Sequence, residues 1–235
     1  MLKPKINRLP DFLCLGPPKT ATTWLYHSLS KHSDVQMPEI KECRYFRWKS
    51  LNLNEYQNLF QNIPRNKKTG DLTPEYILAE PKEIINTIPN IKVFCILRNP
   101  VDRMISHYKM FVDEKIFSSN LKISDILMEN KYHMKDFGLY FKHISRYLQY
   151  FKLDENFKIF YYDDLIKSPK SFMYSIQDYL ELKRNYTKFE NKEKRAYSHL
   201  DIPISKDEIE SIKEFYARPN KELYKFTGRF MGWGE

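Results

Sequence analysis

Residues Phe12 to Leu25 read FLCLGPPKTATTWL, and this stretch decides the fold. Its first four residues, FLCL, are apolar and predict a strand that is buried on both faces of a parallel sheet. A helix begins near Thr22, so its first free N–H groups point back into the intervening loop, which carries Lys19. A strand, a lysine-bearing loop and a helix N-terminus together predict a site for an anionic nucleotide.

The loop offers several donors to a phosphate or sulfate. Lys19 supplies a positive charge, and Thr20, Thr22 and Thr23 supply hydroxyl groups. A nucleoside-triphosphate P-loop has the pattern G-x-x-x-x-G-K-S/T, whereas Gly16 stands three residues before Lys19 and no second glycine follows. ATP and GTP therefore fit this loop less well than another anionic nucleotide. The alternative interpretation is a capped strand-to-helix turn with an ordinary surface lysine.

The composition describes a basic chain that is long enough to bury a substantial core. Its 235 residues are 42% hydrophobic and 15% aromatic, which predicts one domain over residues 1–235. The chain holds 39 lysines and arginines against 30 aspartates and glutamates, a formal net charge of +9. That excess suits a phosphorylated or sulfated partner, and equally a nucleic acid or an acidic lipid, so charge alone does not choose the ligand.

No targeting or membrane-spanning segment is visible. The first residues, MLKPKINR, lack the apolar run of about 7–15 residues of a signal peptide, and no run approaches the roughly 20 residues of a membrane helix. Cys14, Cys43 and Cys95 are an odd number of cysteines, and we interpret them as buried thiols in a reducing compartment. We therefore expect a cytoplasmic protein. The histidines and cysteines show no zinc-type spacing, so no metal is expected.

Strand-like and helix-like segments alternate along the chain, which predicts an α/β fold with a central parallel sheet flanked by helices. After the first helix, Ser33 to Phe46 is expected to be a loop or irregular strand. The predicted strands are Phe12–Leu15, Thr69–Leu72, Lys92–Leu97 and Phe157–Tyr161. The further predicted helices are Leu51–Phe60, Pro81–Ile88, Val101–Glu114, Tyr140–Phe151, Pro169–Leu180 and Ser205–Tyr216, the last opened by a capping box.

A second basic loop follows the strand Lys92–Leu97. Arg98 can bind a phosphate through its bidentate guanidinium, and Ser106 lies further along the helix that begins after it. Ligands of parallel α/β sheets bind at the carboxyl ends of the strands, where Lys19 and Arg98 are both predicted. Two basic loops at one edge predict a nucleotide with phosphates at two positions. The alternative for Arg98 is a cap or an ion pair with Asp102.

These residues resemble the sulfotransferases that use 3'-phosphoadenosine 5'-phosphosulfate (PAPS), and the resemblance runs from Phe12 to Trp233. The family's first loop has the pattern P-K-x-G-T-S/T, which Pro18 to Thr23 follows with Ala21 in place of the glycine. Its 3'-phosphate site has the pattern R-D/N-P-x-x-R-x-x-S-x-Y, and Arg98 to Tyr108 matches every fixed position. The resemblance implies a three-layer, P-loop-like fold, PAPS as the donor, 3',5'-ADP (PAP) as the product and no metal.

Three further blocks resemble the heparan sulfate N- and 3-O-sulfotransferase branch. Lys41 to Phe46 reads KECRYF, Leu72 to Tyr76 reads LTPEY, and Gly138 to Tyr140 reads GLY. They are similar to that branch's K-E-x-x-F/Y-F, K/S-T/S-P-x-Y and G-x-Y. Leu72 stands where several members of the branch have a lysine near the sulfuryl group, and the paired cysteines of its secreted-pathway members are absent.

The resemblance implies a role for each matching residue. Glu42 is the candidate general base, and Lys19 is the candidate that stabilises the leaving 5'-phosphate oxygen. Lys41, beside Glu42, is the third candidate catalytic residue, while His107 and His27 are alternative bases. The expected nucleotide-binding residues are Pro18, Lys19, Thr20, Ala21, Thr22, Thr23, Arg98, Ser106, Lys194 and Arg195.

Two other functional classes fit parts of the sequence. A P-loop kinase of a small metabolite would share the sheet and the basic loops but would need ATP and magnesium. A basic protein that binds RNA or sulfated glycans without catalysis would show steeply salt-dependent binding and no special need for Lys19. For the sulfotransferase, a saccharide acceptor is expected, with no nucleic-acid partner; lipid-linked sugars, small alcohols and protein tyrosines remain open, as does O- or N-sulfation.

Overall fold

The structure is a computed structural model that describes residues 7–186 and 202–234. In this part of the chain a sheet of four parallel strands has the order β2-β1-β3-β4. The strands are β1 (Phe12–Cys14), β2 (Gly70–Asp71), β3 (Lys92–Leu97) and β4 (Phe157–Tyr161). Leu13 pairs with Asp71 on one side and Val93 on the other, so β1 is central.

Ten α-helices surround the sheet in the described residues. They are α1 (Thr22–Ser30), α2 (Tyr45–Trp48), α3 (Leu53–Asn58), α4 (Pro81–Thr87), α5 (Pro100–Asp113), α6 (Ile123–Glu129), α7 (Tyr140–Tyr147), α8 (Tyr162–Lys167), α9 (Pro169–Tyr179) and α10 (Lys206–Thr227). Single 3-10 turns lie at Pro74–Leu78, Lys131–His133 and Asp136–Gly138.

The sheet is buried on both faces, which explains why β1 and most of β3 are runs of apolar residues rather than alternating sequences. Leu13 and Val93 face a core built with α3, α4 and α7, whereas Phe12 and Phe94 face a core built with α1 and α9. A third apolar cluster joins α5, α6 and α10. The predicted arrangement, a parallel sheet between layers of helices, is therefore confirmed, and all three cysteines are buried free thiols.

Strand predictions agree closely with the structure because buried parallel strands are short uninterrupted apolar runs. Lys92–Leu97 and Phe157–Tyr161 are found as predicted. The β1 strand ends one residue earlier than predicted, at Cys14, and β2 covers only the middle of its predicted range.

The predicted helix Ser205–Tyr216 was too short. It begins as expected, with Ser205 Oγ accepting from the Glu208 N–H at 3.2 Å, but it continues to Thr227 through Pro219. A proline inside a helix removes one backbone hydrogen bond, and here the buried side chains of Tyr216 and Leu223 keep the helix packed on both sides of it. In contrast, α7 ends at Tyr147, four residues before its predicted end.

Sequence reasoning missed α2, α6 and α8. They have 4, 7 and 6 residues and lack the proline in the first turn that marked the equally short α4 in the sequence.

Candidate active site

The loop after β1 presents an uncapped helix N-terminus. Lys19 and Ala21 both have left-handed backbone conformations, with φ of 71° and 70°. Within the described chain, no side chain caps α1 and its first turn holds no acidic residue. The first N–H groups of the helix, with their partial positive charge, are therefore left for an anion, as the sequence predicts.

Ala21 occupies the position at which the family pattern has glycine. Its φ of 70° and ψ of 25° lie in the left-handed region, which a residue with a Cβ atom adopts only at a cost of about 1–2 kcal/mol. The loop thus keeps the backbone that glycine would favour, and the substitution changes strain rather than shape.

The Thr20 hydroxyl was expected to face a phosphate or sulfate, and this prediction was wrong. The hydroxyl is buried and donates to the Pro17 carbonyl at 2.7 Å, so it closes the loop instead of facing a ligand. Thr22 and Thr23 line the cleft described below, as predicted.

Arg98 brings the two basic loops together. Its Nη1 donates to the Lys19 carbonyl at 3.0 Å, which confirms that the loops after β1 and β3 meet at one edge of the sheet. The guanidinium lies 4.7 Å from the ring centroid of Tyr162, and the Arg98 carbonyl accepts from the Tyr140 hydroxyl at 2.6 Å. Among the described residues, no hydrogen-bond partner meets the buried Arg98 Nε. A fixed cation with an unsatisfied N–H fits an anionic ligand.

A cleft of about 790 Å³ opens in front of these loops. We call its first wall, formed by Pro18, Lys19, Ala21–Thr23, Arg98, Ser106 and Tyr162, the strand-end side. Nine of the predicted site residues line the cleft: Pro18, Lys19, Ala21, Thr22, Thr23, Lys41, Glu42, Arg98 and Ser106. Thr20 is not among them, and Lys194 and Arg195 lie outside the described residues.

Glu42 lies in the cleft between two cations. One carboxylate oxygen is paired with Lys41 Nζ, and the other accepts from Arg44 Nη2 at 3.2 Å. The side chain keeps 25% of its surface exposed, so it remains accessible to an acceptor molecule. An ordinary surface carboxylate would make the same ion pairs, so the candidate role of Glu42 as a base rests on its position in the KECRYF block.

Glu75 is a second carboxylate in the cleft, and sequence reasoning missed it. Arg44 Nε lies 3.9 Å from its Oε2. Burial raises the pKa of Glu75 above its usual range; Arg44 opposes this shift, and the nearby charge of Glu42 adds to it. The residue stands at the variable position of the LTPEY block, so the motif itself gave no signal for it.

A second wall of the cleft carries exposed aromatic and basic side chains. We call this wall, formed by Lys41, Glu42, Arg44, Arg47, Trp48, Glu75, Tyr132 and His133, the rim side. Trp48 and Tyr132 are 57% and 59% exposed, although both line the cleft. Arg47 Nη2 and His133 Nε2 lie 3.1 Å apart, which links α2 to the turn at Lys131–His133.

Neither alternative histidine is well placed as a base. Burial, with the charges of Arg103 and Lys19, holds the pKa of His107 well below its usual range. Its ring packs on Phe111 with a centroid distance of 4.5 Å, which indicates a packing role in the cleft wall. His27 lies in the last turn of α1 and outside the cleft.

The described residues contain no cluster of three or more histidine, cysteine, aspartate or glutamate side chains that could hold a metal ion. No helix among them is long and apolar enough to cross a membrane.

The sequence matches the sulfotransferase domain family over residues 9–225, nearly the whole chain. The chain belongs to this family. The expected enzyme class, a sulfotransferase of the PAPS-using family, is therefore confirmed. Leu72, which the resemblance to the heparan sulfate branch indicates as replacing a lysine of several members, is fully buried in the apolar core on the α1 side of the sheet. The cations of the cleft come from other positions, including Lys19, Lys41 and Arg44.

Similar proteins include the human heparan sulfate glucosamine 3-O-sulfotransferase 6, which is 25% identical over 98% of this chain and 75% of its own length. The mouse heparan sulfate glucosamine 3-O-sulfotransferase 3B1 is 24% identical over 97% of this chain. The chain spans 65% of the length of that mouse sulfotransferase.

Solved sulfotransferase structures share the fold. A sulfotransferase from Alicyclobacillus acidocaldarius superimposes with a TM-score of 0.82 at 19% identity, covering 97% of this chain and 99% of that one. Mouse sulfotransferase SULT7A1, complexed with PAP, gives a TM-score of 0.62 at 14% identity over 94% of this chain and 89% of its own. The P-loop-like fold expected from the sequence is therefore confirmed.

Proposed function

We propose that this sulfotransferase moves a sulfuryl group from PAPS to a hydroxyl or amine of a saccharide. The observation that carries the proposal is the hydrogen bond from Arg98 to the Lys19 carbonyl, which joins two anion-binding loops beside the open N-terminus of α1. A donor with phosphate groups at two positions matches two loops of this kind.

On the strand-end side, Lys19 and the N-terminus of α1 would hold the 5'-phosphosulfate, while Arg98 and Ser106 would hold the 3'-phosphate. The acceptor oxygen or nitrogen forms a bond to sulfur as the bond between sulfur and the 5'-phosphate oxygen breaks. The electron pair stays on that phosphate oxygen, and PAP leaves. By analogy with phosphoryl transfer, positioning and stabilisation of the developing charge supply most of the catalysis. Lys19 carries the charge suited to that role.

Glu42 would accept the proton that the acceptor loses. A general base has to reach the acceptor proton directly, and the partly exposed Glu42 carboxylate meets this requirement from the rim side of the cleft. Lys41 and Arg44, paired with it, would hold its orientation.

The rim side supports a saccharide acceptor. Exposed Trp48 and Tyr132 offer apolar ring faces for a sugar ring, and Arg44, Arg47 and Lys109 line the same cleft with positive charge for acidic substituents. The two mammalian relatives are named as sulfotransferases of heparan sulfate, which agrees with an acidic saccharide.

We also propose that residues 1–235 act as one domain and that the protein works in the cytoplasm. Strands from residue 12 to residue 161 share one sheet, which α10 continues to pack against. The free, buried thiols of Cys14, Cys43 and Cys95 suit a reducing compartment. Fractionation of source cells with an antibody to the protein tests the location, and recovery in a secreted or membrane fraction would contradict it.

The test of the proposed function is transfer of labelled sulfate from PAPS. The purified chain is incubated with labelled PAPS and, separately, with a heparan sulfate oligosaccharide, a tyrosine-containing peptide and a small aliphatic alcohol. We expect label on the oligosaccharide and almost none in a Lys19→Ala variant. Lys152→Ala removes a cation outside the cleft and is the matched control. Transfer only to the peptide or alcohol would overturn the saccharide, and no transfer at all would overturn the proposed acceptor range.

A further inference from the structure

Asp71 is a fully buried carboxylate at the end of β2, and it does not line the cleft. Its Oδ2 accepts from the hydroxyls of Tyr76 at 2.7 Å and Tyr56 at 3.1 Å. Its Oδ1 accepts from the Thr73 hydroxyl at 2.7 Å and from the Cys43 N–H at 3.4 Å. A buried charge that is this completely hydrogen-bonded holds its partners in one arrangement.

Two of these hydroxyl groups, those of Thr73 and Tyr76, also accept hydrogen bonds from backbone N–H groups. Thr73 Oγ1, which donates to Asp71, accepts from the Arg44 N–H at 3.2 Å. The Tyr76 hydroxyl, which also donates to Asp71, lies 3.5 Å from the Phe46 nitrogen and accepts from its N–H. With the direct bond from Cys43, three backbone N–H groups of one stretch of chain donate to Asp71 or to a hydroxyl that is bound to Asp71. We call this stretch, residues 42–46, the Glu42 segment.

Glu42 is the first residue of that segment. Residues 41–44 form no helix or strand, and Arg44 has a left-handed φ of 59°. Such a segment cannot be fixed by its own backbone hydrogen bonds, so it depends on partners elsewhere in the fold. Among the described residues, the Glu42 carboxylate is paired only with the side chains of its neighbours Lys41 and Arg44, which belong to the same irregular stretch. The position of its backbone is therefore set by the Asp71 cluster.

Burial raises the pKa of Asp71 above its usual range, and the hydrogen bonds from Tyr76, Thr73, Cys43 and Tyr56 act in the opposite direction. Burying a carboxylate costs free energy unless hydrogen-bond donors satisfy it, so a carboxylate is an unfavourable residue for merely filling a core position. Apolar packing would serve stability alone equally well, so the bonds to the Glu42 segment are the feature that distinguishes this cluster from ordinary core.

We infer that Asp71 is a positioning residue for sulfuryl transfer, acting through Thr73 and Tyr76 to fix the backbone that carries Glu42. The inference rests on the proposed function, in which Glu42 is the base. It extends that function to a residue that touches neither the donor nor the acceptor. A misplacement of about 1 Å at a reacting group can lower the rate by roughly a hundredfold, so modest loosening of this segment is expected to be measurable.

The test uses Thr73, because its hydroxyl links Asp71 to the Arg44 N–H. Thr73→Val removes the hydroxyl at nearly constant volume, and Thr73→Ser keeps it. We expect Thr73→Val to lower kcat about tenfold or more, with the Kd of PAP unchanged, and Thr73→Ser to keep kcat near that of the wild type. Tyr56→Phe is the matched control, because it removes a hydrogen bond to the same carboxylate but keeps the ring that packs on Tyr45 and Phe46.

Combination with Glu42→Gln separates positioning from a general structural effect. If Thr73 acts through Glu42, the double variant Thr73→Val, Glu42→Gln is no slower than Glu42→Gln alone. Multiplied losses in the double variant, or equal losses of kcat in Thr73→Val and Tyr56→Phe, would overturn the inference. Wild-type kcat in Thr73→Val would overturn it as well.

Measurements on the wild type distinguish failure of the positioning role from failure of the proposed function. The measurements use whichever acceptor the wild type sulfates. Transfer by the wild type with no effect of Thr73→Val defeats the positioning role and leaves the proposed function standing. A wild type that neither binds PAP nor transfers sulfate defeats the proposed function, and the positioning role falls with it.

Discussion

The two walls of the cleft are built in different ways. The strand-end side consists of short contiguous stretches that follow β1 and β3, and its central contact joins backbone to side chain, from Arg98 to the Lys19 carbonyl. The rim side collects residues from 41–48, from the turn at Pro74–Leu78 and from the turn at Lys131–His133. Its aromatic members, Trp48 and Tyr132, are exposed, whereas Thr22 of the strand-end side is buried.

We propose that this difference separates recognition of the donor from recognition of the acceptor. A wall fixed by strand ends and a helix N-terminus binds an invariant group and leaves little freedom to change. A wall of exposed side chains on short turns can change its residues without disturbing the sheet. We therefore expect substitutions on the two walls to affect different kinetic constants, which variants of Glu42, Trp48 and Tyr132 test, whereas Glu75 and Ala21 test the burial and backbone strain of each wall.

Glu42→Gln is expected to give the largest effect. Glutamine keeps the size and hydrogen-bonding ability of Glu42 but cannot accept the acceptor proton, so we expect kcat to fall by about a hundredfold or more. The Kd of PAP, measured by calorimetry, is expected to stay within about twofold because the donor lies on the other wall.

Glu39→Gln is the control for that experiment, since Glu39 is an exposed carboxylate of the same segment outside the cleft. A parallel loss of PAP binding and turnover in Glu42→Gln would remove Glu42 from the role of base.

Trp48→Ala and Tyr132→Ala test the rim side directly. Loss of one aromatic face against a sugar removes about 0.5–1.5 kcal/mol, which corresponds to a rise of about 2–10-fold in the KM of the acceptor. Initial rates at saturating PAPS measure it, with the Kd of PAP expected to stay constant. Tyr150→Ala removes an aromatic side chain that does not line the cleft and is the comparison. Weaker PAP binding in either rim variant would show that the two walls are not separate.

Glu75→Gln is expected to change stability in a pH-dependent way. Because the pKa of Glu75 is raised by burial, the folded protein binds this proton more tightly than the unfolded chain does. Stability is therefore lost as pH rises from the ordinary glutamate pKa through the raised value, and glutamine escapes that loss. We expect the Tm of the variant to exceed that of the wild type by about 1–3 °C at pH 8.

The difference is expected to shrink as the pH falls below the ordinary range of a glutamate. Scanning calorimetry at several pH values measures it, with Glu155→Gln as an exposed control. A Tm difference that is constant with pH, or that grows in acid, would contradict the burial of Glu75.

Ala21→Gly is expected to have the smallest effect. Glycine relieves about 1–2 kcal/mol of left-handed strain, but it adds about 0.4–1 kcal/mol of unfolded-state entropy, so the Tm should rise by about 1–2 °C. Ala79→Gly is the matched control, because Ala79 has an extended backbone with φ of −69° and gains no such relief. A lower Tm in Ala21→Gly than in Ala79→Gly would place the strain elsewhere.

The strand-end side was largely predictable from the sequence. Lys19, Arg98 and Ser106 lie in continuous motifs next to apolar strands, and local sequence determines such units. The inward hydroxyl of Thr20 was not predictable, because it follows from the left-handed backbone on both sides of it. The strand order was not predicted either, since β1 comes to lie between β2 and β3 through tertiary packing.

The sequence did not reveal the rim side, because its residues come from short segments that are far apart in the chain. The four-residue helix α2 stands between two left-handed residues, Arg44 and Lys49, so no periodic pattern marks it. Nothing in the sequence marked Trp48 as a cleft residue. Tyr132 lies in a turn that is about 85 residues from Trp48 in the sequence, yet it lines the same cleft. Tertiary packing, rather than local propensity, brings these side chains together.

The central claim is that the strand-end side binds a nucleotide with phosphates at two positions. Its most direct test is calorimetric titration of the wild type, Arg98→Ala and the control Arg184→Ala with PAP, and separately with ATP and magnesium. We predict saturable PAP binding that Arg98→Ala weakens by about 10–100-fold, with Arg184→Ala unchanged and ATP binding more weakly. Absence of PAP binding, or preference for ATP with magnesium, would contradict the account and favour a kinase.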